Sequence, residues 1–325
     1  MTSPAFSSCL ADSLSRYVRV LRISNGSDCS SQIKLLKCWD RFLHQQRWCL
    51  PAVTRELVEG YARSLQRLHP TTRTRRLGAV RQFCLHLRQS QPQSHVPERR
   101  LVRLPTICRT PQILNDGQIQ ALMKAARGLD CRNPLQPHAY SAVLGLMYAT
   151  GLRISEAVAL SLGDVHLSLP ALHVRQGKFR KARWVPLSDS AARALGRYID
   201  RRIQSGPRHT EAPLWLNRFG RRLSHGSIYA ALRRLLAQCG IRAERGPGPC
   251  LHDIRHSFAV NRLLSWYRQG RDVNALLPVL ATYMGHACIA GTQVYLQATA
   301  ELLEQASLRF AARFRRRILQ EGGPS

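Results

Sequence analysis

Four short stretches in the second half of the chain carry side chains suited to work on a phosphate. The first is Ala149-Thr150-Gly151-Leu152-Arg153-Ile154-Ser155-Glu156, where Gly151 permits a turn after an apolar helix and Arg153 stands at the start of the next. A guanidinium there can grip a phosphate through two parallel hydrogen bonds, and Glu156 is spaced to hold it. The second runs from Arg175 to Leu187 and places Lys178 and Lys181 beside Gly177. Lysine offers a transferable proton that arginine cannot supply at neutral pH. The third is Leu251-His252-Asp253-Ile254-Arg255-His256, with His252 and Arg255 on one helix face at i and i+3. The fourth is Tyr283-Met284-Gly285-His286, followed nine residues later by Tyr295. Taken singly, each also has an ordinary reading: Arg153 as a helix cap, the lysines as a solvated turn, Tyr295 as a core aromatic. A zinc pair from His252 and His256 lacks a third ligand and an acidic base, and His252-Asp253 lacks the further His/Asp clusters of a metal hydrolase.

These residues need elements that bring them together. The spacing predicts four N-terminal helices. Leu10 to Ile23 holds Leu10, Leu14, Val18 and Leu21 on one face. Ser30 and Ser31 are candidate caps for a helix with Ile33, Leu36, Trp39 and Leu43. Pro51 and Thr54 open a third helix, and Thr71 or Thr72 a fourth. The fourth carries Arg73, Arg75, Arg76, Arg81 and Arg88, a candidate strip for DNA backbone contacts or a solvated face. Residues 89–111 hold Pro92, Pro97, Pro105 and Pro111 with Arg99, Arg100 and Arg103, the pattern of a basic linker. Helices resume at Asn115-Asp116. Between Val165 and Leu187 the period changes to that of a hairpin or small sheet, with Leu172 to Arg175 and Ala182 to Val185 as strands. Helices return from Ser188, with an extended interval near Pro213 to Leu216.

The composition narrows the chemistry. The 325 residues carry 49 Lys and Arg against 19 Asp and Glu, a net charge of +30. Residues 1–110 contribute 19 basic and 6 acidic residues, and the remainder keeps +17 of the excess. Two basic halves fit a clamp on a polyanion, DNA or RNA. An arginine-rich solvated surface is the competing reading, since only five of the basic residues are lysines. The N-terminal MTSPAFSSCLADSLSRY has no basic start followed by an apolar core, and Tyr140 to Leu152 and Ala275 to Gly285 are too short to span a bilayer. No membrane partner is expected. The ten cysteines show no Cys-x-x-Cys spacing, so reduced thiols and no metal or other cofactor are expected.

Together, the order Arg153, Lys178, His252-x-x-Arg255, Gly285-His286, Tyr295 resembles the catalytic domain of the tyrosine recombinases, the phage integrase family. The resemblance runs from about residue 112 to the C-terminus. It implies a mainly α protein with a small β-sheet or hairpin (α+β): an N-terminal helical bundle plus a tyrosine-recombinase-like catalytic domain. The expected division is a helical core DNA-binding domain at 1–90, a linker at 91–111 and a catalytic domain at 112–325. Carried over by position, the active set is Arg153, Lys178, His252, Arg255, His286 and the nucleophile Tyr295, with Glu156 supporting Arg153. Tyr283 precedes Gly285-His286 and does not match, and Lys181 is the alternative lysine. Arg73, Arg75, Arg76, Arg81, Arg99 and Arg100 are candidate DNA contacts.

The implied reaction is attack by a tyrosine oxygen on a DNA phosphodiester. Arg153 and Arg255, with His286 as a further donor, take up the negative charge. His252 accepts the phenol proton and Lys178 protonates the leaving 5′-oxygen. The 3′-phosphotyrosyl bond retains the phosphodiester energy, so rejoining needs neither ATP nor a metal. A homotetramer on DNA, or a mixed assembly with related recombinases, is expected. The stretch Leu263 to Pro278 resembles recombinases of bacterial transposable elements, and the tail Leu302 to Ile318 a C-terminal helix that docks on a neighbouring subunit. Phe179 replaces a second glycine, and Trp266 to Pro278 is expected as a longer surface loop. A non-catalytic DNA-binding protein and a topoisomerase-like relaxing enzyme are the alternatives.

Overall fold

In the computed structural model the described residues are 6–25, 29–98, 111–175, 182–242, 248–286 and 290–293, with Glu304 and Ser307. The chain divides into two units, Met1–Cys108 and Arg109–Ser325.

The apolar periods of the first unit fold as four helices: α1 (Ala11–Asn25), α2 (Ser30–Gln45), α3 (Arg55–Ser64) and α4 (Pro70–Leu87). Their inward faces share one core, in which Leu14, Trp39, Val80 and Phe83 have no exposure. Trp39 meets Tyr61 edge-on with ring centroids 4.9 Å apart. Thr54 caps α3 as expected, its side chain accepting from the Leu57 amide. Two starts differ from the sequence reading. Ser30 is already helical and the flanking Cys29 makes no side-chain cap. Helix α4 begins at Pro70 rather than at Thr71, since proline suits the first turn where no amide partner is needed.

Residues 91–98, expected to open the linker, are tied to this unit. The Ser94 hydroxyl accepts from the Val53 amide, and the His95 amide donates to the Val53 carbonyl at 2.7 Å. Arg99, Arg100 and the rest of that stretch up to 110 lie outside the described residues.

The second unit opens with α5 (Asp116–Arg127), whose N-terminus is closed by a capping box between Asn115 and Gln118. Helix α6 (Leu135–Thr150) follows, then α7 (Ile154–Ala159). A three-stranded antiparallel sheet in the order β1 (Val165–His166), β2 (Ala171–Val174), β3 (Arg183–Pro186) comes next, with Leu172 opposite Val185 and His173 opposite Trp184. The hairpin tip at 176–181, with Lys178 and Lys181, lies outside the described residues. Among the described residues, helices α8 (Asp189–Gln204), α9 (His225–Gln238), α10 (Leu251–Arg268), α11 (Val273–Met284) and the short α12 (Ala290–Gln293) follow. Trp215 has no exposure and donates to the Ala157 carbonyl, fixing α7 to the core.

The stretch Trp266–Pro278, expected as a surface loop, is instead the last turn of α10 and the first half of α11. Asp272 caps α11 by accepting from the Asn274 and Ala275 amides, and Val273 and Leu277 are buried. A capped amphipathic start outweighs the polar surface of the turn before it. Among the described residues, no helix is long and apolar enough to cross a membrane.

Candidate active site

The site forms where α6 hands over to α7 and where α11 ends. Gly151 closes α6 with φ +63°, a left-handed conformation, and a Cβ there would stand 2.4 Å from the Phe258 ring. Only glycine meets both demands. Two residues on, Arg153 is the N-cap of α7. Glu156, one turn later and 3% exposed, accepts from the Arg153 amide at 3.0 Å and from its Nη1 at 2.9 Å. The spacing expected of this pair is the one observed.

Helix α11 ends at Gly285, φ +68°. A helix leaves its last carbonyls without internal partners. Here the turn takes two of them: the Gly285 amide donates to Thr282 and the His286 amide to Ala281. Arginines take the next three. Arg183 Nε donates to the Tyr283 carbonyl at 3.1 Å, Arg255 Nη2 to the Met284 carbonyl at 2.9 Å, and Arg153 Nη2 to the Gly285 carbonyl at 3.0 Å. These cations also sit favourably at the negative end of the helix dipole. Arg255, 1% exposed, spends its Nη1 on the Gly151 carbonyl. The Gly151 turn and the Gly285 turn are therefore joined by one guanidinium.

His286 follows directly. Its Nε2 lies 2.8 Å from Arg255 Nη2 and its Nδ1 2.7 Å from the hydroxyl of Thr292, which has no exposure. A guanidinium can only donate, so Nε2 accepts and the ring proton belongs on Nδ1. Burial pushes the imidazole down to about 4, helped by the charges of Arg255, Arg153, His252 and Arg183. The ring is neutral at pH 7. In this tautomer His286 orients Arg255, and Nε2 has no proton to give a phosphate oxygen.

His252 is exposed on α10, one turn before Arg255, with its ring edge-on to His256 at 4.5 Å between centroids. Burial pushes the Glu156 carboxyl up, but the hydrogen bonds and charges of Arg183 and Arg153 outweigh it and hold it below the usual carboxylate range. Tyr283 is occupied: its hydroxyl donates to the Pro186 carbonyl at 3.0 Å, its ring stacks on Phe258, and burial pushes it up to about 12. Tyr295 lies outside the described residues, as do Lys178 and Lys181.

Of the expected set, Arg153, Glu156, Arg255 and His286 converge through direct bonds, and His252 stands close by. Two members of the cluster escaped the sequence reading. Thr292 left no signal. Arg183 left one: in β3 it alternates with the buried Val185, so the strand period put a charged residue on an inward position. On α4, Arg75 is exposed while Arg73, Arg76 and Arg81 are half-buried, and Arg81 donates to the Pro97 carbonyl. At 100° per residue, Arg75 leaves the helix on a different side from Arg73, so the five arginines do not form one strip.

The phage integrase family matches residues 112–301. The integrase/recombinase-type protein y4rB of Sinorhizobium fredii is 36% identical over 269 residues, covering 81% of this chain and 86% of that protein. Tyrosine recombinase XerD of Oceanobacillus iheyensis is 31% identical over 258 residues, 78% of this chain and 80% of that protein. Among solved structures, the Tn1549 transposon integrase in complex with a circular intermediate DNA superposes with a TM-score of 0.64 at 16% identity, covering 94% of this chain and all of that one (100%). A lambda integrase dimer bound to a core site gives 0.61 at 16% identity, covering 89% and 95%. At such identities the structural likeness is one of fold. Fold and sequence together define a tyrosine-type site-specific recombinase. The chain belongs to the phage integrase family.

Proposed function

We propose that this recombinase cuts and rejoins double-stranded DNA through a covalent bond between Tyr295 and a 3′-phosphate, in the service of a transposable element. The observation that carries the reading is the convergence of Arg153 and Arg255 beside a neutral His286. Each guanidinium is fixed by backbone carbonyls, so it stands ready for an oxyanion without rearranging.

The phenol of Tyr295 has an ordinary pKa near 10, so ionising it at pH 7 costs about 4 kcal/mol. The arginines lower that cost, and His252 accepts the proton. The phenol oxygen bonds to phosphorus as the bond from phosphorus to the 5′-oxygen breaks. Lys178 supplies the proton that turns the leaving oxygen into a 5′-hydroxyl. A 5′-hydroxyl attacking the phosphotyrosine reverses every step, so the cycle consumes neither ATP nor a metal.

The first unit adds the exposed Arg75 of α4 as a contact for the DNA backbone. Recombination between two duplexes calls for a tetramer of this chain or a mixed assembly with related recombinases. A cytoplasmic protein acting at the bacterial nucleoid follows from that work. The Tn1549 transposon integrase, at 16% identity, shares the fold alone, and the transposon role rests on the likeness of Leu263 to Pro278 to recombinases of bacterial transposable elements.

The test uses a supercoiled plasmid carrying DNA from both flanks of the chain's own gene. The wild-type protein is expected to give detergent-stable protein–DNA adducts and recombinant products, with chelator present or absent. Tyr295→Phe is expected to lose the adducts and to keep DNA binding. Adducts that persist in Tyr295→Phe refute the assignment. Relaxation without exchange of partners makes the chain a relaxing enzyme, and a strict magnesium requirement makes it a nuclease.

A further inference from the structure

Glu156 creates a problem that the site must solve. A buried carboxylate paired with Arg153 neutralises one of the two cations meant for the phosphate. Left alone with that partner, it would also draw Arg153 into a two-point pair and away from any substrate. Arg183 prevents both. Its Nη1 donates to Glu156 Oε1 at 3.0 Å and its Nη2 to Oε2 at 2.9 Å, so it grips the carboxylate end-on through both terminal nitrogens. Arg153 keeps a single side-chain contact, from Nη1 to Oε1, and its Nη2 goes to the Gly285 carbonyl. With Arg183 present, the one carboxylate is shared by two guanidiniums, and with Arg255 nearby on the Met284 carbonyl the cluster retains a cationic excess for an incoming oxyanion.

Arg183 is also fixed at its other edge. Its Nε donates to the Tyr283 carbonyl, and its guanidinium lies so close beneath Gly285 that a Cβ there would stand 2.8 Å from Nη1. The residue after Gly285 is His286. Arg183 is the first residue of β3, five positions after Lys178. One side chain thus ties together the strand leaving the lysine hairpin, the first turn of α7 and the turn that aims His286.

We propose that Arg183 is a positioning residue of the strand-cleavage reaction. It sets the placement of Arg153 through Glu156 and of His286 through the α11 terminus. The proposal rests on the covalent mechanism given above and adds to it a third arginine that does not touch DNA.

The experiment measures, on labelled linear DNA from the same flanks, the rate constant of adduct formation at saturating protein and, separately, the DNA dissociation constant. Arg183→Gln is expected to slow adduct formation about 100-fold, the scale of a 1 Å misplacement of reacting groups. The dissociation constant is expected to move by less than about threefold, the scatter of an uninvolved residue. Arg183→Lys is expected to recover about a tenth of the wild-type rate or less, because the three donors of an ammonium radiate from one nitrogen and cannot span the carboxylate and the Tyr283 carbonyl as the planar guanidinium does. The double variant Glu156→Gln, Arg183→Gln removes both buried charges and keeps an acceptor for Arg153. It is expected to melt near the wild-type temperature and to remain slow, which separates positioning from folding. Should Arg183→Gln fold poorly, the double variant carries the same reading. An Arg183→Gln rate within about threefold of wild type, or a double variant that regains the wild-type rate, overturns the inference and leaves the mechanism standing. A wild-type protein that forms no adduct brings down the mechanism and the inference with it.

Discussion

The arginines of α4 and those around Glu156 are the same side chain put to different use. On α4, Arg75 is exposed, and Arg81 reaches the Pro97 carbonyl. In the second unit, Arg153, Arg183 and Arg255 each hold at least two fixed acceptors: the Glu156 carboxylate, the carbonyls at 283 to 285, or the Gly151 carbonyl. An exposed guanidinium on a flexible stem gives up rotamer freedom when it meets a phosphate, and water and salt screen what it gains. A guanidinium already locked by backbone groups has met that cost on folding, and it works in a drier setting. Basic charge gives attraction for DNA. Fixed basic charge is what a reaction needs.

The largest expected break in this contrast is Arg255→Ala. On the proposed mechanism it removes a clamp on the phosphate, with adduct formation expected to fall by about 10³-fold, the loss typical of one preorganised oxyanion donor. It also strips the buried Gly151 carbonyl of its guanidinium partner and leaves the Met284 carbonyl only the 3.5 Å contact from Arg153 Nη1. An orphaned carbonyl costs about 1–3 kcal/mol, read as a lower denaturant midpoint.

An intermediate effect comes from His286. Its unfolded value is near 6.5, and burial with the neighbouring cations holds it at about 4 in the folded protein. Below pH 6.5 the unfolded chain binds a proton that the folded chain refuses. Stability is therefore full above about pH 6.5 and is lost as pH falls toward 4. Urea midpoints measured across that window are expected to drop with acid in the wild type. His286→Gln is expected to show a shallower drop. An equal slope in both proteins would mean that another group carries the effect.

The smallest effect is expected at Arg75→Ala. Stability should stay within about 0.5 kcal/mol, as for most exposed positions. DNA affinity should weaken modestly, and the slope of log affinity against log salt should fall by about one if the side chain meets one phosphate. A collapse of adduct formation at saturating protein would contradict the contrast drawn here.

Much of this was legible in the sequence. Period and caps marked α1 to α4 and the hairpin strands to within a few residues, because apolar spacing and Thr54-type caps act locally. The pairs Arg153 with Glu156, His252 with Arg255 and Gly285 with His286 were legible from glycine turns and helix spacing, whereas their meeting at one site was implied only by the resemblance of their order to the tyrosine recombinases. Arg183 was hidden among 44 arginines, since its meaning depends on Glu156 and Gly285, far away in the chain. The packing of residues 91–98 was missed for a related reason. Prolines there break a helix, but they do not prevent hydrogen bonds to Val53. At Trp266–Pro278, a polar surface turn concealed the Asp272 cap and the buried Val273 and Leu277.

The most direct test of the covalent mechanism is to digest the trapped protein–DNA adduct and locate the nucleotide by fragmentation mass spectrometry. The account predicts a phosphodiester on the phenol oxygen of Tyr295, with Tyr283 unmodified behind its bond to Pro186. A nucleotide on Tyr283, or on any residue other than Tyr295, would contradict it.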